Sequence, residues 1–446
     1  MNDPESANAE KRARRSRTLG LFSWALYDWA NSPFPTLIQT FLFAAYFTRR
    51  VAENETSGTA QWGIMMGAAG IAVAIGAPFL GAIADQTGAR KRWIGVFTAL
   101  CVLASALLWF VKPSPSFIWL ALPLVWLGSV GVEYASLFYN SMLGAITSPE
   151  RIGRWSGWGW ALGYAGGLAA LLIALFGFVK PEDSWLPLDR DAAEHVRITF
   201  LLVGVWFAVF SLPLFLFTPD TAPTGKKFRA AAVAGVRQLW DSIRHVRRYA
   251  TIIRFLIARM IYVEGLATMF AFGGVYAAGT FKMTEEQVMM FGIALNVTAG
   301  LGAFGLAWVD DWIGPKRTIL VSLVGLIIPG SLMLLATNPT WFWIFGAALG
   351  LFVGPVQAAS RSFLSHASPP ELRNQMFGLF AFSGKATSFL GPLLVGWLTY
   401  WSGSQRVGMT AIMLLFAIGF ALMCTVPPVE TKTQEPESVP SKVDLP

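Results

Sequence analysis

GAIADQTGARKR, Gly81 to Arg92, has a counterpart 226 residues further on in AWVDDWIGPKR, Ala307 to Arg317. Asp85 matches Asp311, Gly88 matches Gly314, and Arg90 and Lys91 match Lys316 and Arg317. A second pair recurs at an offset of 221 residues: SPERIGRWSG from Ser148 and PPELRNQMFG from Pro369. There Glu150 matches Glu371, and Gly157 matches Gly378. Two independent pairs at near-equal offsets point to a duplicated chain, and such self-similarity outranks any single motif.

Composition says what was duplicated. Of 446 residues, 54% are hydrophobic and 13% charged, where a soluble domain carries about 25% charged. The mean hydropathy is +0.53. A membrane-spanning helix needs about 20 mainly apolar residues. Twelve stretches qualify: 21–48, 62–84, 93–111, 117–147, 155–179 and 196–217, then 250–280, 288–309, 318–337, 340–365, 374–400 and 406–426. The expected fold is an all-α membrane protein of twelve transmembrane helices in two pseudo-symmetric six-helix bundles, 21–217 and 250–426. A basic tail (1–20) precedes them, and no small-residue cleavage site follows it, so no cleaved leader is expected. A basic linker, 218–249, divides the bundles, and about 229–248 reads as an amphipathic helix on the membrane surface. The tail 427–446, rich in Pro, Glu, Ser and Lys, is expected to be disordered.

Basic residues set an orientation. With both termini on one side, that side holds 22 Lys and Arg and the other side eight. The positive-inside rule then places both termini in the cytoplasm, and a bacterial inner membrane is the expected location.

The first repeat carries a known pattern. Gly81, Asp85, Gly88, Arg90 and Lys91, spaced as they are between the second and third spans, resemble the signature loop of the major facilitator superfamily. The second copy keeps Asp311 and Gly314 but has Ala307 at the first glycine's place. Glycine permits a tight turn and close helix approach, and the aspartate can face the positive N-terminus of a neighbouring helix. A plain charged turn is the alternative. YDWANS (Tyr27 to Ser32), QAASRS (Gln357 to Ser362) and FGLFAFSGKATSFLGPLL (Phe377 to Leu394) are similar to motifs of the vacuolar effluxer-like family within that superfamily. The resemblance implies the major facilitator fold and a secondary transporter working by alternating access. It also implies a central cavity lined by helices one, four, seven and ten, with the eleventh contributing. By the family's fungal relatives, it implies a small polar solute, an amino acid or short peptide.

Polar residues inside the spans supply the candidate site. A charge at the bilayer centre costs about 2.5–3.5 kcal/mol on insertion scales, so such groups face a protein interior or a wet cavity. Asp28 is followed by Asn31 and Ser32 on one helix face, with Tyr27 on the neighbouring stripe and Pro33 and Pro35 just beyond. Glu133 and Asn140 are seven apart, and Gln357 and Arg361 are four apart. Arg259, Tyr262 and Glu264 lie in the seventh span, Asn296 in the eighth and Lys385 in the eleventh. Tyr27, Asn31, Asn140, Arg259, Tyr262, Asn296, Gln357, Arg361 and Lys385 are the substrate-binding candidates. Arg361 and Lys385 are the expected holders of an anionic group, and Asp28, Glu133 and Glu264 the expected proton carriers. The deep charges balance at three of each sign. The gate candidates are Gly81, Asp85, Gly88, Arg90, Glu150, Asp311, Gly314, Lys316, Arg317 and Glu371. Interhelical ion pairs that only lock the bundle are the competing explanation.

Other chemistries find no support. GLFAFSGKA (Gly378 to Ala386) has five residues between its glycines instead of four, and Ala386 where a phosphate loop needs Ser or Thr. His195, His245 and His366 are scattered, and Cys101 and Cys424 have no partner nearby in sequence. No metal, cofactor, disulfide or enzyme activity is expected. The expected partners are a small-molecule substrate, protons and the lipid bilayer, with a monomer sufficient for transport. Anionic headgroups rather than nucleic acid suit the basic tail and linker. An exporter of a larger amphipathic compound and a non-transporting receptor or scaffold are the alternatives.

Overall fold

The computed structural model describes residues 4–180, 186–244 and 246–429. Among these residues the regular structure is helical, as a bilayer demands: only helices or closed barrels satisfy every backbone polar group there. Eleven helices are long and apolar enough to cross a membrane. We number the spans in chain order. The second to sixth are Glu55–Thr87, Arg90–Phe110, Pro115–Ile146, Pro149–Val179 and Glu194–Phe217. The seventh to twelfth are Arg247–Phe281, Gln287–Ile313, Pro315–Leu335, Pro339–Ala367, Pro370–Ser402 and Gln405–Cys424.

The first span differs because it is interrupted. A helix, Pro4–Asn31, runs into wider π-type turns at Phe34–Phe41, a short helix at Leu42–Tyr46 and a second π-type segment, Phe47–Val51. The widening starts beside Pro33 and Pro35, whose missing N–H groups break the ladder. The helix also begins well before residue 21, in the stretch read as a tail. The expected disorder of the C-terminal tail concerns, from residue 430 on, positions outside the described residues.

Gly20, before the first apolar stretch, and Cys424, closing the twelfth span, lie at one end of the bundle, called here the terminal end. Thr218 Oγ1 donates to the Gly20 carbonyl at 2.9 Å, and Lys316 Nζ donates to the Cys424 carbonyl at 3.0 Å. At this terminal end the halves touch through small residues. A Cβ on Gly378, in the eleventh span, would fall 2.4 Å from the Ala77 carbonyl of the second. A Cβ on Gly157, in the fifth, would fall 2.6 Å from the Ala303 carbonyl of the eighth. The two crossings are related by the repeat, since residues 77 and 303 are 226 apart.

The eleventh span is broken into Arg373–Lys385 and Leu390–Ser402. Pro392 explains the break: it has no N–H to bond the Ser388 carbonyl four residues back, yet it is tolerated in the first turn of the helix that restarts at Leu390. The linker helix, Phe228–Arg244, lies against the second span, with Gly235 packed on the Ala82 carbonyl.

Candidate functional site

Between the halves, near mid-length of the spans, lies a cavity of about 420 Å³. Its wall comes from the first, fourth and fifth spans of one half and the seventh, eighth, tenth and eleventh of the other. Asp28, Asn31, Glu133, Asn140, Arg259, Asn296, Gln357, Arg361 and Lys385 all line it.

Arg361 sits at its base, on the side of the chain termini. The side chain is 3% exposed. Nη1 donates to Asp28 Oδ2 and to Asn140 Oδ1, both at 3.0 Å. Nε donates to Ser156 Oγ at 2.9 Å, and Nη2 to the Ser156 carbonyl at 2.6 Å. The rings of Trp24, Tyr139 and Trp160 surround the guanidinium, with centroids 5.0, 5.7 and 5.9 Å from its central carbon. Tyr139 donates to Asp28 Oδ2 at 2.9 Å. Every one of these partners belongs to the N-terminal half, so a cation of one half is plugged into the other. A buried guanidinium needs its remaining donors met as well, and Asn140 and Ser156 meet them.

A second cross-half pair, Lys385 Nζ to Glu133 Oε1 at 2.7 Å, is each a third exposed. Glu133 precedes Asn140 by two turns, about 10 Å further from the terminal end. Lys385 closes the first part of the broken eleventh span, where the helix dipole favours a cation.

Arg259 is the third cation. Its Nη1 donates to the Phe380 carbonyl and to Ser383 Oγ, both at 2.7 Å, and its guanidinium lies on the Phe380 ring. No carboxylate pairs with it among the described residues, and its Nε has no hydrogen-bond partner. Gln357 crosses to Tyr164, donating at 3.0 Å, whereas Asn296 donates to its own helix at Gly292.

Three candidates are absent from the wall. Glu264 is 3% exposed, and its Oε1 accepts from the Gly391 N–H at 2.8 Å. It caps the restarted half of the eleventh span, whose first N–H groups have no partner within the helix. Tyr27 bonds Thr98 at 2.6 Å and stacks on Tyr139 inside the N-terminal half. Tyr262 bonds Ser360 at 2.7 Å inside the C-terminal half. With Glu264 withdrawn, the expected three-to-three balance becomes three cations against two carboxylates.

The repeated loops lie at the terminal end. Asp85 Oδ1 accepts from the Asn374 N–H at 3.0 Å and its side-chain amide at 2.8 Å, and Oδ2 accepts from the Gln375 N–H at 2.8 Å. Arg90 Nε donates to Asn374 Oδ1 at 3.1 Å, and Gly81 packs on the Asn374 carbonyl. Asp311 Oδ1 accepts from the Arg154 N–H at 3.0 Å, and its Oδ2 lies 3.3 Å from Arg154 Nε. Each aspartate therefore meets a helix N-terminus of the opposite half. Gly88 (φ +66°) and Gly314 (φ +82°) turn the chain where an L residue is strained. Lys316 bonds the twelfth span as described above, whereas Glu150, Glu371 and Arg317 are exposed.

Sequence reasoning passed over Tyr139, Ser156 and Tyr164, the partners that complete the cross-half bonds. It also passed over Asp310, a fully enclosed carboxylate beside Gly153 whose two oxygens have no hydrogen-bond partner. The doubled aspartate in AWVDDW was its only signal, and the repeat match drew attention to Asp311.

Two six-helix halves around a charged central cavity, locked at one end by repeated loops, define an integral membrane transporter of the major facilitator superfamily. Solved structures share this fold: the proton:xylose symporter XylE (TM-score 0.72, 13% identity, 94% of this chain and 98% of that one), and the human organic anion transporter MFSD10 (TM-score 0.71, 15% identity, 91% and 99%). FucP in its outward conformation also matches (TM-score 0.67, 14% identity, 92% and 99%). The chain belongs to the vacuole effluxer Atg22-like family, whose model matches residues 148–436. Among its relatives are the MFS-type transporter YxiO of Bacillus subtilis (strain 168), 26% identical over 92% of this chain and 95% of that protein. Autophagy-related protein 22 of Kluyveromyces lactis is 25% identical over 74% and 71%.

Proposed function

We propose that the protein moves a small polar solute bearing a carboxylate, an amino acid or short peptide, by alternating access. The observation that carries this is the cavity's excess of one cation. Arg259 faces the cavity without a carboxylate, next to a Lys385 that is only partly satisfied by Glu133. A planar guanidinium matches a carboxylate in geometry as well as charge. Glu133, once Lys385 turns to the solute carboxylate, remains to meet an ammonium group. A volume of about 420 Å³ falls toward the small end of ligand pockets, roughly 300–1,000 Å³.

Coupling to protons follows from the same arrangement. A solute carboxylate that draws Lys385 away leaves Glu133 without its cation, free to carry the coupling proton. The terminal-end locks hold that side shut, so this conformation admits solute from the other end. With the termini in the cytoplasm by the positive-inside rule, it is the outward-facing state.

A thermal-shift titration tests the solute class. Amino acids and dipeptides should stabilise the purified protein, and the matching amino alcohols should not. Arg259→Ala should weaken carboxylate binding at least tenfold. Equal stabilisation by the amino alcohols would remove the carboxylate from the proposal. In proteoliposomes, a pH gradient should drive uptake, and Glu133→Gln should abolish that drive.

A second reading has one specific support. An apolar groove of about 430 Å³ between the first, fifth and eighth spans shares Tyr164 and Asn296 with the cavity. An amphipathic substrate would enter from lipid by that side. Competition of a long-chain amine with amino-acid binding would favour it.

A further inference from the structure

The linker is not a passive tether. Its helix, Phe228–Arg244, turns Ala231, Gly235 and Leu239 inward, while Val233, Val236 and Trp240 are exposed. Exposed apolar side chains on a strongly basic helix are the signature of a helix lying at a membrane interface. Along its flank runs a groove of about 870 Å³ that contains four cations, Lys227, Arg229, Arg237 and Arg248, against one carboxylate, Asp241, which has a partner of its own. No ion pair joins any of these four to a carboxylate among the described residues.

The depth of the groove says what it meets. Arg248 and Tyr249 begin the seventh span, and Leu372 begins the eleventh; all three line the groove. Two spans starting at one level mark the end of the hydrocarbon and the start of the headgroup layer. Four cations over an apolar floor at that depth complement a phosphate headgroup with its acyl chains below. Trp240, with Arg244 5.6 Å from its ring, is the kind of side chain that anchors there.

The same helix touches both halves. Gln238 bonds Gln86 at the end of the second span and, through its Nε2, Gln375 at the start of the eleventh, at 3.0 Å. Gln375 is also one of the two N–H donors to Asp85. We propose that this groove binds an anionic phospholipid of the leaflet on the terminal side, and that the bound lipid holds the linker helix across the closed gate.

Native mass spectrometry of the full chain, loaded with phosphatidylglycerol and phosphatidylcholine in turn, tests this. The protein should retain phosphatidylglycerol in preference. The triple variant Arg229→Gln/Arg237→Gln/Arg248→Gln should lose that preference, with affinity falling at least tenfold. A charge-matched control, Arg17→Gln/Arg92→Gln/Arg151→Gln, should keep it. Equal retention of the two lipids by the unaltered protein would overturn the proposal without any variant. So would full retention by the triple variant, or equal loss from the control, which would reduce the effect to general charge attraction. Displacement of the lipid by millimolar inorganic phosphate would assign the groove to a soluble anion instead. For the gate, vesicles of phosphatidylglycerol should slow opening of the terminal end, read as labelling of a cysteine placed at the buried Ser365 in a chain whose exposed Cys424 is replaced by Ser. An unchanged labelling rate across the two lipids would remove the regulatory half.

Discussion

Two ion pairs join the halves across the cavity, and they are built for different ends. Asp28–Arg361 is sealed at the base, with three aromatic rings over the guanidinium and every donor group engaged. Glu133–Lys385 stands about 10 Å further along, a third exposed on each side and with no other hydrogen-bond partner among the described residues. The first has paid for desolvation with a full shell of partners, so removing one member strands a buried charge. The second remains wet and is worth little to stability. The sealed pair is therefore structural in this conformation, and the wet pair, with Arg259 beside it, is the one able to exchange partners with a solute. On the proposed function, Arg259 takes the anion-holding role expected of Arg361, beside Lys385.

Four outcomes would break or sharpen this contrast. The largest concerns Arg361→Ala, which should cost about 3–5 kcal/mol, read as a lowered midpoint in detergent-induced unfolding. A loss below 1 kcal/mol would mean that the base pair is hydrated after all. Next, Asp85→Asn should destabilise by about 1.5–3 kcal/mol, since a charged acceptor of three hydrogen bonds is weakened. Its neighbour in the other crossing should move the opposite way. Asp310→Asn removes a carboxyl with no partner and should be neutral or raise stability by about 1–2 kcal/mol, measured in the same titration. The smallest effect belongs to Lys385→Ala, under about 1 kcal/mol. Double-mutant cycles on both pairs would check the ranking directly: coupling for Glu133 and Lys385 as large as for Asp28 and Arg361 would erase the distinction.

The two terminal-end crossings show the limit of the internal symmetry. Asp85 and Asp311 occupy equivalent places, and each faces a helix start of the other half. Yet Gly81 lies on the Asn374 carbonyl, while its counterpart is Ala307, and only the second crossing carries an enclosed, unpartnered carboxylate. The linker covers the first crossing alone, with Thr224 Oγ1 donating to the Gln86 carbonyl at 2.6 Å and the Ala89 N–H to the Thr221 carbonyl at 3.1 Å.

Much of this was legible in the amino-acid order, for a physical reason. Lipid forbids unsatisfied backbone, so apolar runs of span length have one solution, and a duplicated loop at offsets of 226 and 221 makes two bundles out of twelve helices. The cost of charge in lipid likewise marks Asp28, Glu133, Arg259, Arg361 and Lys385 as inward-facing. What each charge meets there depends on which way its side chain leaves the helix and on where a neighbouring helix breaks. The sequence places Glu264 among the cavity carboxylates, but the eleventh span restarts at Leu390 and leaves the Gly391 N–H for Glu264 to cap. Partner choice between residues as far apart as 333 positions is a property of packed helices, and there the tertiary structure alone decided that Arg361 and Lys385 meet a carboxylate and that Arg259 pairs with none among the described residues.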